Sequence, residues 1–134
     1  MKSLSAMISL CLVLIATPLT AGEIGDYQFY MTQIKYCEYL YLDERIESWV
    51  DEDNTLTCTS GFDRIKQLAL ENFSQNDAFN AVSSSRNSAL LAVEAFTAEI
   101  EQSELVERVK RCKTFCAVID SYMSDHDTLP EREK

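Results

Sequence analysis

Between Asp26 and Leu129 the chain contains a single glycine, Gly61, and no proline. Tight turns between strands draw on Gly, Pro, Asn and Asp for their special dihedrals, and helices need none of these. So long a stretch with so little punctuation predicts an all-α fold. The expected architecture is an antiparallel bundle of four helices, or five if the third is split. The 134 residues are enough for one such domain and not for two.

The apolar residues recur in helical steps of three and four. A first helix capped by Asp26 is predicted from Tyr27 to Val50, with Tyr27, Tyr30, Met31, Ile34, Cys37, Tyr41, Ile46, Trp49 and Val50 along one stripe. The charged "DEDNT" closes it. A second helix starts near Ser60, where "SGFD" reads as a capping box, and buries Phe62, Ile65, Ala69 and Phe73. After "SQND" a third runs to about Ile100, with Phe79, Val82, Ala89, Leu90, Val93, Phe96 and Ile100 inward. The polar "SSSRNS" at 83–88 is where it would kink or split. Ser103 caps a fourth, whose stripe is Leu105, Val109, Cys112, Cys116, Ile119 and Met123. Residues 124–134 have almost nothing to bury and read as a disordered acidic tail.

The first 21 residues have the layout of a secretory signal peptide. Lys2 precedes an apolar run from Ala6 to Ala16, and small residues follow near Ala21 and Gly22. The run is too short to span a bilayer, which takes about 20 residues. The helical domain then occupies 22–123, and a periplasmic or secreted location is expected, with no membrane attachment after leader removal. The chain carries 22 acidic against 12 basic residues, a net charge of −10. That balance argues against nucleic acid, which needs positive charge.

Four cysteines lie beyond the leader: Cys37, Cys58, Cys112 and Cys116. An even number in an exported chain points to disulfides. Cys112 and Cys116 are one helical turn apart, with Cβ atoms about 5–6 Å from each other, too far for direct pairing. Each must reach another helix. A first helix ending at Val50 puts Cys37 about 20 Å below the end where Cys58 sits. The expected bridges are therefore Cys58–Cys112 and Cys37–Cys116. A split third helix that reversed the fourth would swap them to Cys37–Cys112 and Cys58–Cys116.

Catalytic equipment is sparse. The one histidine, His126, falls in the tail, which undercuts Ser-His, Cys-His and multi-histidine metal sites together. No glycine-rich phosphate loop and no haem-attachment motif are present. The expectation is a protein that is not an enzyme and uses no metal or cofactor. Recognition has better candidates. Five of six tyrosines crowd into 27–41, and Tyr36 and Tyr39 fall off the core stripe. Next to them stand Asp43, Glu44, Glu47 and Asp51, part of a dense acidic segment without calcium-loop spacing. These six residues are the candidate partner-binding surface, weighed against a helix packed on two sides and a solvated acidic face.

The stretch "TCTSGFDRIKQLALENFSQNDAFNAV…ALLAVEAF", together with the earlier "YCEYLYL", resembles the Rap/Tai immunity proteins. Those proteins protect bacteria from type VI secretion effectors in the periplasm. The resemblance rests on a leader, an early cysteine beside aromatic residues, and a second cysteine before a glycine-led helix. It implies a non-enzymatic inhibitor that occupies a toxic effector enzyme. This chain continues past the family pattern into the Cys112/Cys116 helix, so no inhibitory residue is carried over. The other readings are a stress chaperone or small-ligand carrier with an apolar groove, and an enzyme using carboxylates alone. A homodimer is compatible with any of them.

Overall fold

The computed structural model describes residues 23–42 and 58–131, and these form four helices without a strand among them. They are α1 (Ile24–Leu40), α2 (Thr59–Asn72), α3 (Gln75–Thr97) and α4 (Gln102–Asp125). Residues 1–22, 43–57 and 132–134 lie outside the described residues.

The chain runs up, down, up, down. The edge-on pair of Tyr27 with Phe73 joins the start of α1 to the end of α2. At the other end the Cys58 N–H donates to Glu38 Oε2 at 3.2 Å. Ser74 reverses the chain by capping α3, its hydroxyl accepting from the Asp77 N–H at 3.1 Å. Tyr36 then meets Phe96, late residue to late residue, so α1 and α3 run parallel. α4 descends antiparallel to α1 and parallel to α2. Its Val109 carbonyl accepts from the Tyr41 hydroxyl, and its Asp120 carboxylate accepts from the Gly61 N–H at 2.8 Å.

Packing explains the tyrosine surplus. Only Gly25 and Gln33 of α1 are exposed, because the other three helices all pack against it. An amphipathic helix would waste that position. Tyrosine suits it, since the ring fills the core and the hydroxyl reaches an edge. Tyr27 accepts from Asn72, Tyr30 donates to the Pro130 carbonyl, Tyr36 accepts from Arg108, and Tyr41 donates to the Val109 carbonyl.

α3 differs from its expected stripe. Val82, Ala89 and Val93 are inward as predicted, but they share the seam with Ala78, Ala81 and Ser85. Phe79 and Leu90 point outward, 44% and 48% exposed. Small side chains let two helix axes approach closely, and bulky ones in that seam would hold α1 away. The "SSSRNS" patch does not split the helix. Ser85 is fully buried, with its hydroxyl satisfied by the Val82 carbonyl one turn back at 2.7 Å.

Both disulfides form, in the other pairing. Cys37 joins Cys112 and Cys58 joins Cys116, with Cα–Cα distances of 5.4 and 5.3 Å. The bridges Cys58–Cys112 and Cys37–Cys116 are thus corrected, and the cause is not a reversed fourth helix. The cause is the length of α1, which ends at Leu40 instead of Val50 and leaves Cys37 one turn from its top. Cys37 comes level with Cys112, while α2 begins lower, with Gly61 level with Asp120. Closing loops of 75 and 58 residues stabilises each link by about 4 kcal/mol on chain-entropy grounds.

Three capping assignments also shift, among them that of α2, whose N-cap is Cys58 with Ser60 of the expected "SGFD" box already inside the helix. Glu23, not Asp26, caps α1, and Asp26 accepts from the Glu23 N–H at 3.2 Å. Glu101, not Ser103, precedes α4. The tail is corrected as well. α4 continues to Asp125, and residues 126–130 turn back onto the bundle and do not hang free: Leu129 packs against the core and Asp127 pairs with Arg64.

Candidate functional site

The polar and aromatic groups that do not simply fill the core gather where α1 ends. Tyr36 leaves the core side of α1 at an angle that brings its hydroxyl 2.6 Å from an Arg108 guanidinium nitrogen. The same guanidinium lies 4.2 Å from the centre of the Phe96 ring, and the two rings are 6.4 Å apart. Three helices therefore supply one aromatic–arginine cluster, from α1, α3 and α4. A cation over an aromatic face contributes about 0.5–2 kcal/mol according to its desolvation. Burial pushes the Tyr36 hydroxyl above its ordinary value, and the neighbouring Arg108 charge and hydrogen bond oppose this.

An open cleft of about 460 Å³ borders the cluster, lined by Phe96, Ser103, Glu104, Glu107, Arg108 and Arg111. Its lining combines one aromatic ring with side chains of both charge signs. Arginine and aromatic residues at the centre of a polar rim are the usual composition of a protein-recognition surface. Among the described residues no group of His, Cys, Asp and Glu is arranged to hold a metal ion.

Of the six candidate residues, the structure brings only Tyr36 into this cluster. Tyr39, one turn on, is half-buried and packs against the core. Asp43, Glu44, Glu47 and Asp51 lie outside the described residues. Sequence reading singled out neither Arg108 nor Phe96 as a candidate, although Phe96 stands in the predicted inward stripe and does pack against the core. Nothing local could have revealed them, because the Tyr36–Arg108 contact spans 72 residues.

A second polar group is structural. Cys58 stands at the N-cap of α2 without giving a side-chain cap, and carboxylates from other helices serve instead. Glu38 accepts from the Cys58 N–H and the Thr59 hydroxyl, while Asp120 accepts from the Gly61 N–H. Burial raises the Asp120 carboxyl above its ordinary value. The Gly61 hydrogen bond pulls it back, and the charge of Glu38 adds to the rise.

No known protein family, curated protein or solved structure matches the chain. The cysteine pairs are compatible with an oxidising compartment, and no helix of the described residues is long and apolar enough to cross a membrane.

Proposed function

We propose that the protein is an exported, non-enzymatic binding domain that occupies a protein partner with the end of the bundle around Tyr36, Phe96 and Arg108. Its most concrete form is a periplasmic immunity protein that neutralises a toxic effector enzyme of type VI secretion. The observation that carries this reading is the aromatic–arginine cluster beside an open, charged cleft, on a frame locked by two disulfides. A preorganised surface binds without losing affinity to ordering. The resemblance to Rap/Tai proteins and the leader-like first residues support the same reading. A carrier needs a hollow apolar interior. Here Met31, Ile34, Leu40, Ile65, Leu105, Ile119 and Met123 fill the middle of the bundle, each at most 2% exposed.

Co-expression tests the proposal. Should a neighbouring gene encode a cell-wall-degrading enzyme, that enzyme directed to the periplasm should arrest growth, and the wild-type protein should restore it. Glu107→Arg and Arg111→Glu, which reverse charges in the cleft and leave the core untouched, should weaken rescue at least tenfold in plating efficiency. Full rescue by both variants would remove the cleft from the binding surface. No rescue by the wild type, confirmed as folded and exported, would sink the immunity reading.

A further inference from the structure

Among the described helices α3 carries charge most sparsely. Only Asp77, Arg86 and Glu94 are charged among its 23 residues, against eight charged residues in the 24 of α4. The whole chain carries a net charge of −10, so two copies repel unless they meet where charge is scarce. The outer side of α3 is such a place, and it is apolar as well. Leu90 is half exposed there and Leu91 is 66% exposed. Contiguous apolar surface rimmed by polar residues marks an interaction site.

The order of residues along this side selects the occupant. Arg86, Leu90 and Glu94 follow one another at steps of four, which sets them in one row on the helix surface. All three are exposed. The two charges stand about 12 Å apart along the axis, too far to pair with each other. Neither makes an ion pair among the described residues. The Arg86 guanidinium lies 5.8 Å from the centre of the Phe62 ring, near the ~6 Å limit of a cation–π contact, so little holds it in place.

Read in reverse, this row is its own complement. Leucine faces leucine, and each charge faces its opposite. A row of that kind fits a copy of itself related by a two-fold axis, where one patch serves both sides of the contact. In the commonest class of helix packing, rows of residues four apart from two helices lie side by side. Ser83 and Asn87 beside the row are short and neutral, so no bulky or charged group keeps a second helix away from Leu90. Nothing in the binding of an unrelated partner requires this symmetry.

We infer that the outer face of α3 docks against α3 of a second copy of this chain, antiparallel about Leu90, so that Arg86 of each copy meets Glu94 of the other. Leu90 supplies the attraction. The two charge pairs set the orientation and reject wrong partners more than they add affinity. A contact one helix wide belongs with the small, transient interfaces, under about 1,200 Å², so the dimer exchanges readily with monomer. This inference is independent of the inhibitor reading, which concerns the cleft beside α4.

Sedimentation equilibrium on the purified, disulfide-bonded protein at rising concentration measures the association. Leu90→Ala should weaken it about tenfold or more, because a symmetric contact loses methylenes from both copies at once. Glu94→Arg should weaken it to a similar degree, since it sets Arg86 against arginine. That variant is less acidic overall, so association limited by net repulsion alone would instead strengthen. The charge-swapped chain, Arg86→Glu with Glu94→Arg, keeps the net charge, restores the complement and should associate within about threefold of wild type. All these side chains are exposed, and circular dichroism checks that each variant is folded. A protein that stays monomeric up to its solubility limit would overturn the proposal. So would indifference to Leu90→Ala, tighter association of Glu94→Arg, or a swapped chain that associates no better than Glu94→Arg.

Discussion

α1 and α3 lie side by side and parallel, yet they are held in opposite ways. α1 is buried or half-buried on nearly every side, tied to α4 through Cys37, and fastened at its edges by tyrosine hydroxyls. α3 has no cysteine and turns Phe79, Leu90 and Leu91 toward solvent. What holds it is the fit of Ala78, Ala81, Ser85 and Ala89 against its neighbours. Size decides the buried face of α3, whereas hydropathy decides that of α1. The two helices should therefore respond differently to the same kinds of damage.

The largest effect is expected from the covalent link. Cys37→Ser should cost about 2–5 kcal/mol in urea unfolding, because it frees the denatured chain and leaves Cys112 unpaired in the core. A loss below 1 kcal/mol would mean that α1 is held mainly by packing, as α3 is. Next comes the tight seam. Ala89→Leu should cost about 1–3 kcal/mol, since Ala89 is fully buried and the seam leaves no room for added methylenes. Gly61→Ala places a Cβ 2.6 Å from Asp120 Oδ1 and should cost about 1–2 kcal/mol through the displaced hydrogen bond.

Alkaline pH should act on α1 and spare α3, which has no tyrosine. Burial raises the folded values of Tyr27 and Tyr36 above 10. The unfolded chain loses these protons first, so the stabilisation is complete below about pH 10 and is lost as pH rises through the folded values. Urea midpoints should fall as pH rises past about 10, with a shallower fall in Tyr36→Phe. An unchanged slope in that variant would remove Tyr36 as a contributor. The smallest effect belongs to the outer face of α3. Leu90→Ala should stay within about 0.5 kcal/mol of wild type, and a loss as large as that of Ala89→Leu would erase the distinction between the helices.

Much of the fold was legible because helices announce themselves by periodicity and by missing breakers. The α4 stripe from Leu105 to Met123 is buried as read. Harder were features set by distant contacts. The end of α1 at Leu40 carries no Gly or Pro signal, and that one boundary reversed the cysteine pairing. The α3 face was misread because apolar residues surround that helix, and steps of three and four fit both the bulky and the small set. The tail appeared free because Leu129 and Pro130 are its only apolar residues, and their seat exists only after α1 and α4 have come together. For the candidate site, Tyr36 was visible as a tyrosine off the stripe, but its arginine partner was not.

The carboxylates at the start of α2 bear on the order of events in folding. Glu38 and Asp120 lie 20 residues before Cys58 and 59 after Gly61, so the carboxylates that satisfy the first turn of α2 come from distant parts of the chain. These two contacts require the flanking helices to have met. Contacts made after the transition state slow unfolding and leave the folding rate alone. Stopped-flow measurements on Asp120→Asn and Glu38→Gln should accordingly show faster unfolding with nearly unchanged refolding. That outcome would make the start of α2 a kinetic latch, engaged last when the chain folds and released first when it opens.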